Sequence, residues 1–295
     1  MKKIFTPLFL FLFSIPLFAN DIDMLKTDRD VEKFIRAEFP ALSDARVAYK
    51  DFLYPDFIKQ RIADSLHVKL WQKTDFDNNG KSDLLVFIST GGQNYLTAIM
   101  DEGVSYGVHF ISKWPFADIY FPVVKKTDNS TLLLLYKTCA FCHGTNENSI
   151  KTDTLIYKFG SFIERTVNPP SYKIEKVEFS TGACEGTCPV YSITIQPSHK
   201  AYYNAINYND TTGQFSGIVD TLHYNKLVRM LNYLDFPKLK DNYTVLWKDA
   251  PQSTLLITYE GGKSKKIQDY GEAGTQGLSV IYGILSDLRK NQVWK

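Results

Sequence analysis

Polar and apolar residues alternate along most of the chain with a period of two, which predicts strands, and helical spacing of three and four is confined to a few segments. In the first half the strand-like runs are Val68–Lys73, Asp83–Ser89, Tyr95–Met100, Gly107–Ile111, Ile119–Val124, Thr131–Tyr136 and Thr154–Phe159. They are rich in Val, Ile, Leu, Phe and Tyr and are separated by Gly, Asn and Asp, which favour tight turns. Ahead of them, Arg29–Phe39 places Val31, Phe34 and Ile35 on one helical stripe, with Asp28 or Asp30 as the N-cap. The expectation is a β-rich domain over residues 20–168, built as an antiparallel sheet or small sandwich.

Consecutive prolines at Asn168-Pro169-Pro170 neither donate to a sheet ladder nor continue a helix, and they mark the expected boundary. Over residues 172–295 the pattern changes. Val177–Ser180 and Val190–Gln196 read as strands, and Ala201–Ala205 returns across Pro197-Ser198-His199. Asp220 caps a helix with Tyr224, Leu227, Val228, Leu231 and Leu234 on one face. Thr254–Tyr259 and Lys265–Gln268 form a hairpin about Gly261-Gly262, and a last helix from Gly277 to Lys290 aligns Leu278, Ile281, Leu285 and Leu288. The predicted fold class is α+β: the β-rich first domain followed by a ββαββα domain whose helices cover one face of an antiparallel sheet.

Within that second domain, the run Ala183-Cys184-Glu185-Gly186-Thr187-Cys188-Pro189-Val190-Tyr191-Ser192 is followed by Asp249-Ala250-Pro251 before a strand and by Lys265-Lys266-Ile267-Gln268-Asp269-Tyr270 after a hairpin. With these segments, residues of about 174–294 resemble the DUF6438 family, a domain of unknown function in secreted and periplasmic bacterial proteins. The resemblance implies the fold and no activity. Pro197-Ser198-His199 stands where the family turns its first hairpin through a glycine.

The N-terminus changes the expected compartment. Lys2 and Lys3 precede an apolar run from Ile4 to Phe18 interrupted by Pro7 and Pro16, and Ala19 precedes the polar Asn20-Asp21. These are the parts of a secretory signal peptide over residues 1–19, with cleavage expected after Ala19 and a periplasmic or extracellular destination in a bacterium. A retained anchor is the rival, opposed by a short apolar run and its two prolines. The chain holds 34 Lys and Arg against 32 Asp and Glu, and loss of the leader removes only Lys2 and Lys3, so the mature chain is formally neutral. Without a dense basic block, nucleic acid is excluded as an expected partner, and no later segment has the apolar length of a transmembrane span.

Candidate chemistry gathers in a few places. Asp75-Phe76-Asp77-Asn78-Asn79-Gly80-Lys81-Ser82-Asp83 spaces oxygen ligands at alternate positions about a bending glycine, a pattern suited to calcium. Position twelve of an EF-hand would be Val86, so the loop resembles instead that of FG-GAP and related β-repeat proteins. The resemblance implies side-chain ligands Asp75, Asp77, Asn79 and Asp83 and the carbonyl of Lys81. An Asx-rich hairpin turn uses the same residues without a metal. Cys139-Ala140-Phe141-Cys142-His143 has the spacing of c-type haem attachment, or of a thiol redox centre, yet lies between a strand and a polar loop. For four cysteines in an oxidising compartment three pairings exist, and local disulfides, Cys139 with Cys142 and Cys184 with Cys188, are expected first. A zinc site on all four thiolates is disfavoured there. Gly271, Gly274 and Gly277 read as a strand-to-helix turn more readily than as a phosphate cradle. Among 18 tyrosines, Tyr202, Tyr203 and Tyr208 offer a surface for a glycan or protein ligand, or one face of a core strand. No GxSxG elbow, HExxH pair or Walker lysine is present, and the reading leans to a non-catalytic binding or structural module.

Overall fold

The computed structural model describes residues 20–140 and 150–295. The leader reading at 1–19 and the positions Cys142 and His143 lie outside the described residues. The described residues form a strand-rich mixed α/β structure with three sheets.

In order, the elements of the first half are α1 (Asp21–Met24), α2 (Asp28–Glu38), β1 (Arg46–Val47), α3 (Lys50–Leu53), α4 (Phe57–Ser65), β2 (Trp71–Thr74), β3 (Asp83–Thr90), β4 (Gln93–Asp101), β5 (Tyr106–Phe110), β6 (Asp118–Lys126), β7 (Thr131–Cys139), β8 (Lys151–Lys158) and β9 (Ser161–Glu164). The first sheet runs β1-β3-β4-β5, with β2 sharing the β1 edge of β3, and the second runs β6-β7-β8-β9. Alternation along β3 sends its side chains to two cores. Leu85 and Phe87 join Leu133, Leu135 and Leu155 of the second sheet, whereas Leu84, Val86 and Ile88 pack on Val31, Phe34 and Ile35 of α2. Of the expected antiparallel sheet or small sandwich, the structure has two antiparallel sheets sharing a core, with a helical layer on the outer face of the first. Thr27, not Asp28 or Asp30, is the N-cap of α2, and Asp30 completes a capping box with it.

The second half contains β10 (Ile174–Thr181), β11 (Val190–Ile195), β12 (Lys200–Asn207), β13 (Gly213–Ile218), α5 (Thr221–Tyr233), β14 (Asn242–Thr244), β15 (Gln252–Tyr259), β16 (Lys263–Tyr270) and α6 (Gln276–Asn291). Its sheet has the order β13-β12-β11-β10-β15-β16-β14, antiparallel except for the parallel pair β14 and β16. The arrangement is therefore richer than ββαββα. The sequence reading lacks β13 and β14, which carry few apolar residues and are held by pairing at the two sheet edges. The alternate residues Val177, Phe179, Ile193, Ile195, Leu255, Ile257 and Ile267 meet Leu227, Leu231, Leu278, Ile281 and Leu285 of the two helices, so the helices cover one face as expected. In the Pro197-Ser198-His199 turn, His199 at φ +66° takes the left-handed position, and its N–H bonds the Gln196 carbonyl at 2.9 Å.

Candidate functional site

Two places concentrate chemistry: the Asp75 loop between β2 and β3, and a polar cleft where the second sheet meets the start of α6.

In the loop, Asn78 (φ +59°) and Gly80 (φ +84°) turn the chain so that oxygens of Asp75, Asp77 and Asp83 lie within 4.8 Å of one another. Asp75 accepts the N–H groups of Asn79 and Gly80 at 3.2 and 2.9 Å, and Asp77 that of Asn79 at 3.1 Å. Asp83 is fully buried and accepts the N–H of Phe76 at 2.7 Å and of Asp101 at 2.9 Å. Burial still pushes its carboxyl up to about 7, helped by the charges of Asp77 and Asp75. Asp77 is also raised, first by burial and then by Asp75. Of the remaining expected ligands, Asn79 turns its side-chain oxygen to the Lys81 N–H at 2.8 Å and its amide to the Asp101 carbonyl at 2.7 Å. The Lys81 ammonium meets the Asp101 carboxylate at 3.3 Å. The carboxylates of Asp75, Asp77 and Asp83 are therefore gathered, the Asn79 side chain is engaged in the turn and with Asp101, and Lys81, expected to offer its carbonyl, directs its ammonium to Asp101.

The cleft, of about 500 Å³, has the ends of β6, β7 and β8 as its floor. Strand register sets Tyr120 opposite Lys137 and Lys137 opposite Lys151. β14 and the loop before α6 form its walls. A clasp joins the two halves beneath it. Lys113 donates to the carbonyls of Gly274 at 2.6 Å and Thr275 at 2.7 Å, and burial pulls its ammonium down to about 8 against the pull of Glu164, Asp269 and Glu272. In return, the Glu164 carboxylate accepts the first two N–H groups of α6, from Gln276 at 2.6 Å and Gly277 at 2.9 Å. The Gln276 side chain reaches back to the Ile111 carbonyl at 2.6 Å. The helix N-terminus that the glycines open is thus occupied by a carboxylate of the protein itself. The glycines are the expected turn, and a Cβ on Gly277 would stand 2.4 Å from Leu234 Cδ2. Sequence reading missed Lys113 and Glu164, which carry no local motif.

At the cleft mouth Trp114, Phe116 and Trp247 form an aromatic corner with centroids 5.1 to 5.9 Å apart. Trp247 rides on a loop fastened from below. The Glu185 N–H reaches the Asp249 carbonyl at 3.3 Å, the Ala250 N–H the Tyr270 hydroxyl at 3.1 Å, and the Gly271 N–H the Pro251 carbonyl at 2.8 Å. The three sequence segments of the resemblance therefore meet in space and hold that loop.

Cys184 and Cys188 form a disulfide, as expected. Its ring spans a sequence separation of 4, so it removes little chain entropy. Replacing both cysteines by serine is expected to lower stability by about 2 kcal/mol or less. A urea titration checks this, and a loss above about 4 kcal/mol would assign the bridge a larger role. Cys139 ends β7 and is disulfide-bonded, while the haem and redox expectations at Cys142 and His143 lie outside the described residues. Tyr203 belongs to the core, whereas Tyr202 and Tyr208 are exposed, so the three do not share one surface.

Among the described residues no helix is long and apolar enough to cross a membrane. Residues 175–289 match the DUF6438 family, a domain of unknown function, and the match runs from β10 into α6. No curated protein matches the chain.

Proposed function

We propose that the protein is an exported, non-catalytic binding or structural module whose first half is ordered by calcium on the Asp75 loop. The observation that carries this is the convergence of Asp75, Asp77 and Asp83 within 4.8 Å, on a turn whose backbone N–H groups already hold two of the carboxylates in place. Three carboxyls so close repel one another when ionised, and a hard divalent cation relieves that repulsion. The loop also pins the Asp101 end of β4 to the start of β3 through Asp83 and Asn79, so ordering it stiffens the first sheet. Export rests on the leader pattern of residues 1–19.

Millimolar calcium is expected to raise the melting temperature of the mature protein by several degrees, and Asp77→Ala to abolish the rise, because a ligand that binds only the folded state stabilises it by mass action. Thermal unfolding with chelator or calcium tests this. An unchanged melt with calcium would leave the loop as an Asx-bonded turn.

A further inference from the structure

The outermost strand of the third sheet, β14, lies along the cleft with one edge unpaired among the described residues. The Asp241 carbonyl and the Val245 N–H both face β16, accepting from Gln268 at 2.8 Å and donating to Tyr270 at 3.2 Å. Because backbone groups alternate along a strand, the N–H and C=O of Asn242 and Thr244 point the other way, and both residues line the cleft. The opposite edge of this sheet is treated differently. There Ser216 of β13 exchanges two bonds of 2.9 Å with Lys295, so the chain's own C-terminal residue extends the sheet. An unpaired edge is otherwise a hazard that proteins cover or blunt.

The surroundings of the β14 edge indicate what covers it. Lys137 is paired with Asp153 at 2.7 Å, and Lys113 and Glu164 are engaged in the clasp. Lys151 and Lys240 are exposed and form no ion pair among the described residues. Opposing them in the cleft is the single carboxyl of Asp118, so the two lysines outnumber the acid that faces them. The excess charge is thus positive. At the mouth, the Trp114 and Trp247 rings meet at 73° with Phe116 against both, beside Leu246, which is 88% exposed, so the corner presents apolar surface to the cleft.

We propose that the open edge of β14 receives an extended acidic peptide segment of a partner protein. The peptide pairs with the N–H and C=O of Asn242 and Thr244, seats an aromatic or aliphatic side chain against Trp114 and Trp247, and sets its carboxylates near Lys151 and Lys240. Main-chain pairing supplies affinity and the flanking pockets supply selectivity, as in other strand additions. This names a partner for the binding module proposed above, and it does not depend on the calcium loop.

The test uses the full mature protein and a positional library of end-blocked hexapeptides, read by fluorescence anisotropy with calcium and with chelator. Pools with Glu or Asp flanking Trp, Phe or Leu are expected to bind. Methylating alternate backbone nitrogens of the best peptide should weaken it roughly tenfold or more on one phase of the alternation only. Thr244→Pro should do the same without moving the melting temperature, since its N–H faces away from β16. Lys151→Glu with Lys240→Glu should shift preference to basic pools. Absence of any binding pool, or equal binding of the methylated peptides, would overturn the proposal. So would binding of an acidic oligosaccharide in place of every peptide. If peptides bind while calcium leaves the melt unchanged, the calcium reading falls alone.

Discussion

Replacing Lys113 by alanine is expected to destabilise the protein by about 3 kcal/mol, the scale for removing one partner from a buried charged network. The substitution leaves the Gly274 carbonyl without its donor and leaves Glu164, Asp269 and Glu272 facing one another without a cation. Lys113→Met keeps the aliphatic stem and should recover about 1 kcal/mol of that loss. Glu164→Ala removes the acceptor for the first two N–H groups of α6 and should cost about 2 kcal/mol, with Thr275 still capping the helix through the Leu278 N–H. Because both residues act on the same turn, the double variant should lose less than the sum. Urea titrations of the four proteins decide the matter, and single losses below about 0.5 kcal/mol would reduce the clasp to a surface contact. The pH dependence from Lys113 has a definite sign. Its ammonium titrates near 8 when folded against 10.5 when free, so between those values the unfolded chain binds more protons and this group adds stability as pH rises.

The second large effect is expected from Asp83 in the calcium-free protein. Its carboxyl titrates near 7 in the fold against 3.8 when free, so between those values the folded state holds the extra proton. Its contribution is complete below the lower value and is lost as pH rises through the upper one, a change on the order of 2–4 kcal/mol. The melting temperature in chelator should therefore fall between about pH 5 and about pH 7.5, and Asp83→Asn should flatten that fall. Calcium requires the ionised carboxylate, so its stabilisation should be small at the lower pH and large at the higher one. A calcium response that is equal at both would remove Asp83 from the ligand set.

The Asp75 loop was legible because its residues are contiguous: alternate Asp and Asn about Gly80 fix both a turn and a cluster of oxygens whatever the rest of the chain does. The strands β3, β4, β15 and β16 were legible for a similar local reason, since alternation and turn chemistry act over a few residues. β14 was not, because Asn242-Tyr243-Thr244 has no apolar pattern and becomes a strand only when β16 offers it an edge. Nor was the second face of β3, where an apolar run reads alike in a sheet covered on one side or two.

What the sequence determined by itself was therefore the set of local preferences: strand and helix periods, the basic-then-apolar pattern of residues 1–19, the spacing of the cysteines and the clustered oxygens of the Asp75 loop. The tertiary structure decided the cleft. Lys113 and Glu164 meet the start of α6 across separations of 161 and 112 residues. Trp114 meets Trp247 only because the Cys184 loop, Asp249-Ala250-Pro251 and Tyr270 fasten the loop between β14 and β15. Such contacts follow from how sheets and helices pack, and packing depends on the whole set of buried faces at once, not on any window of sequence.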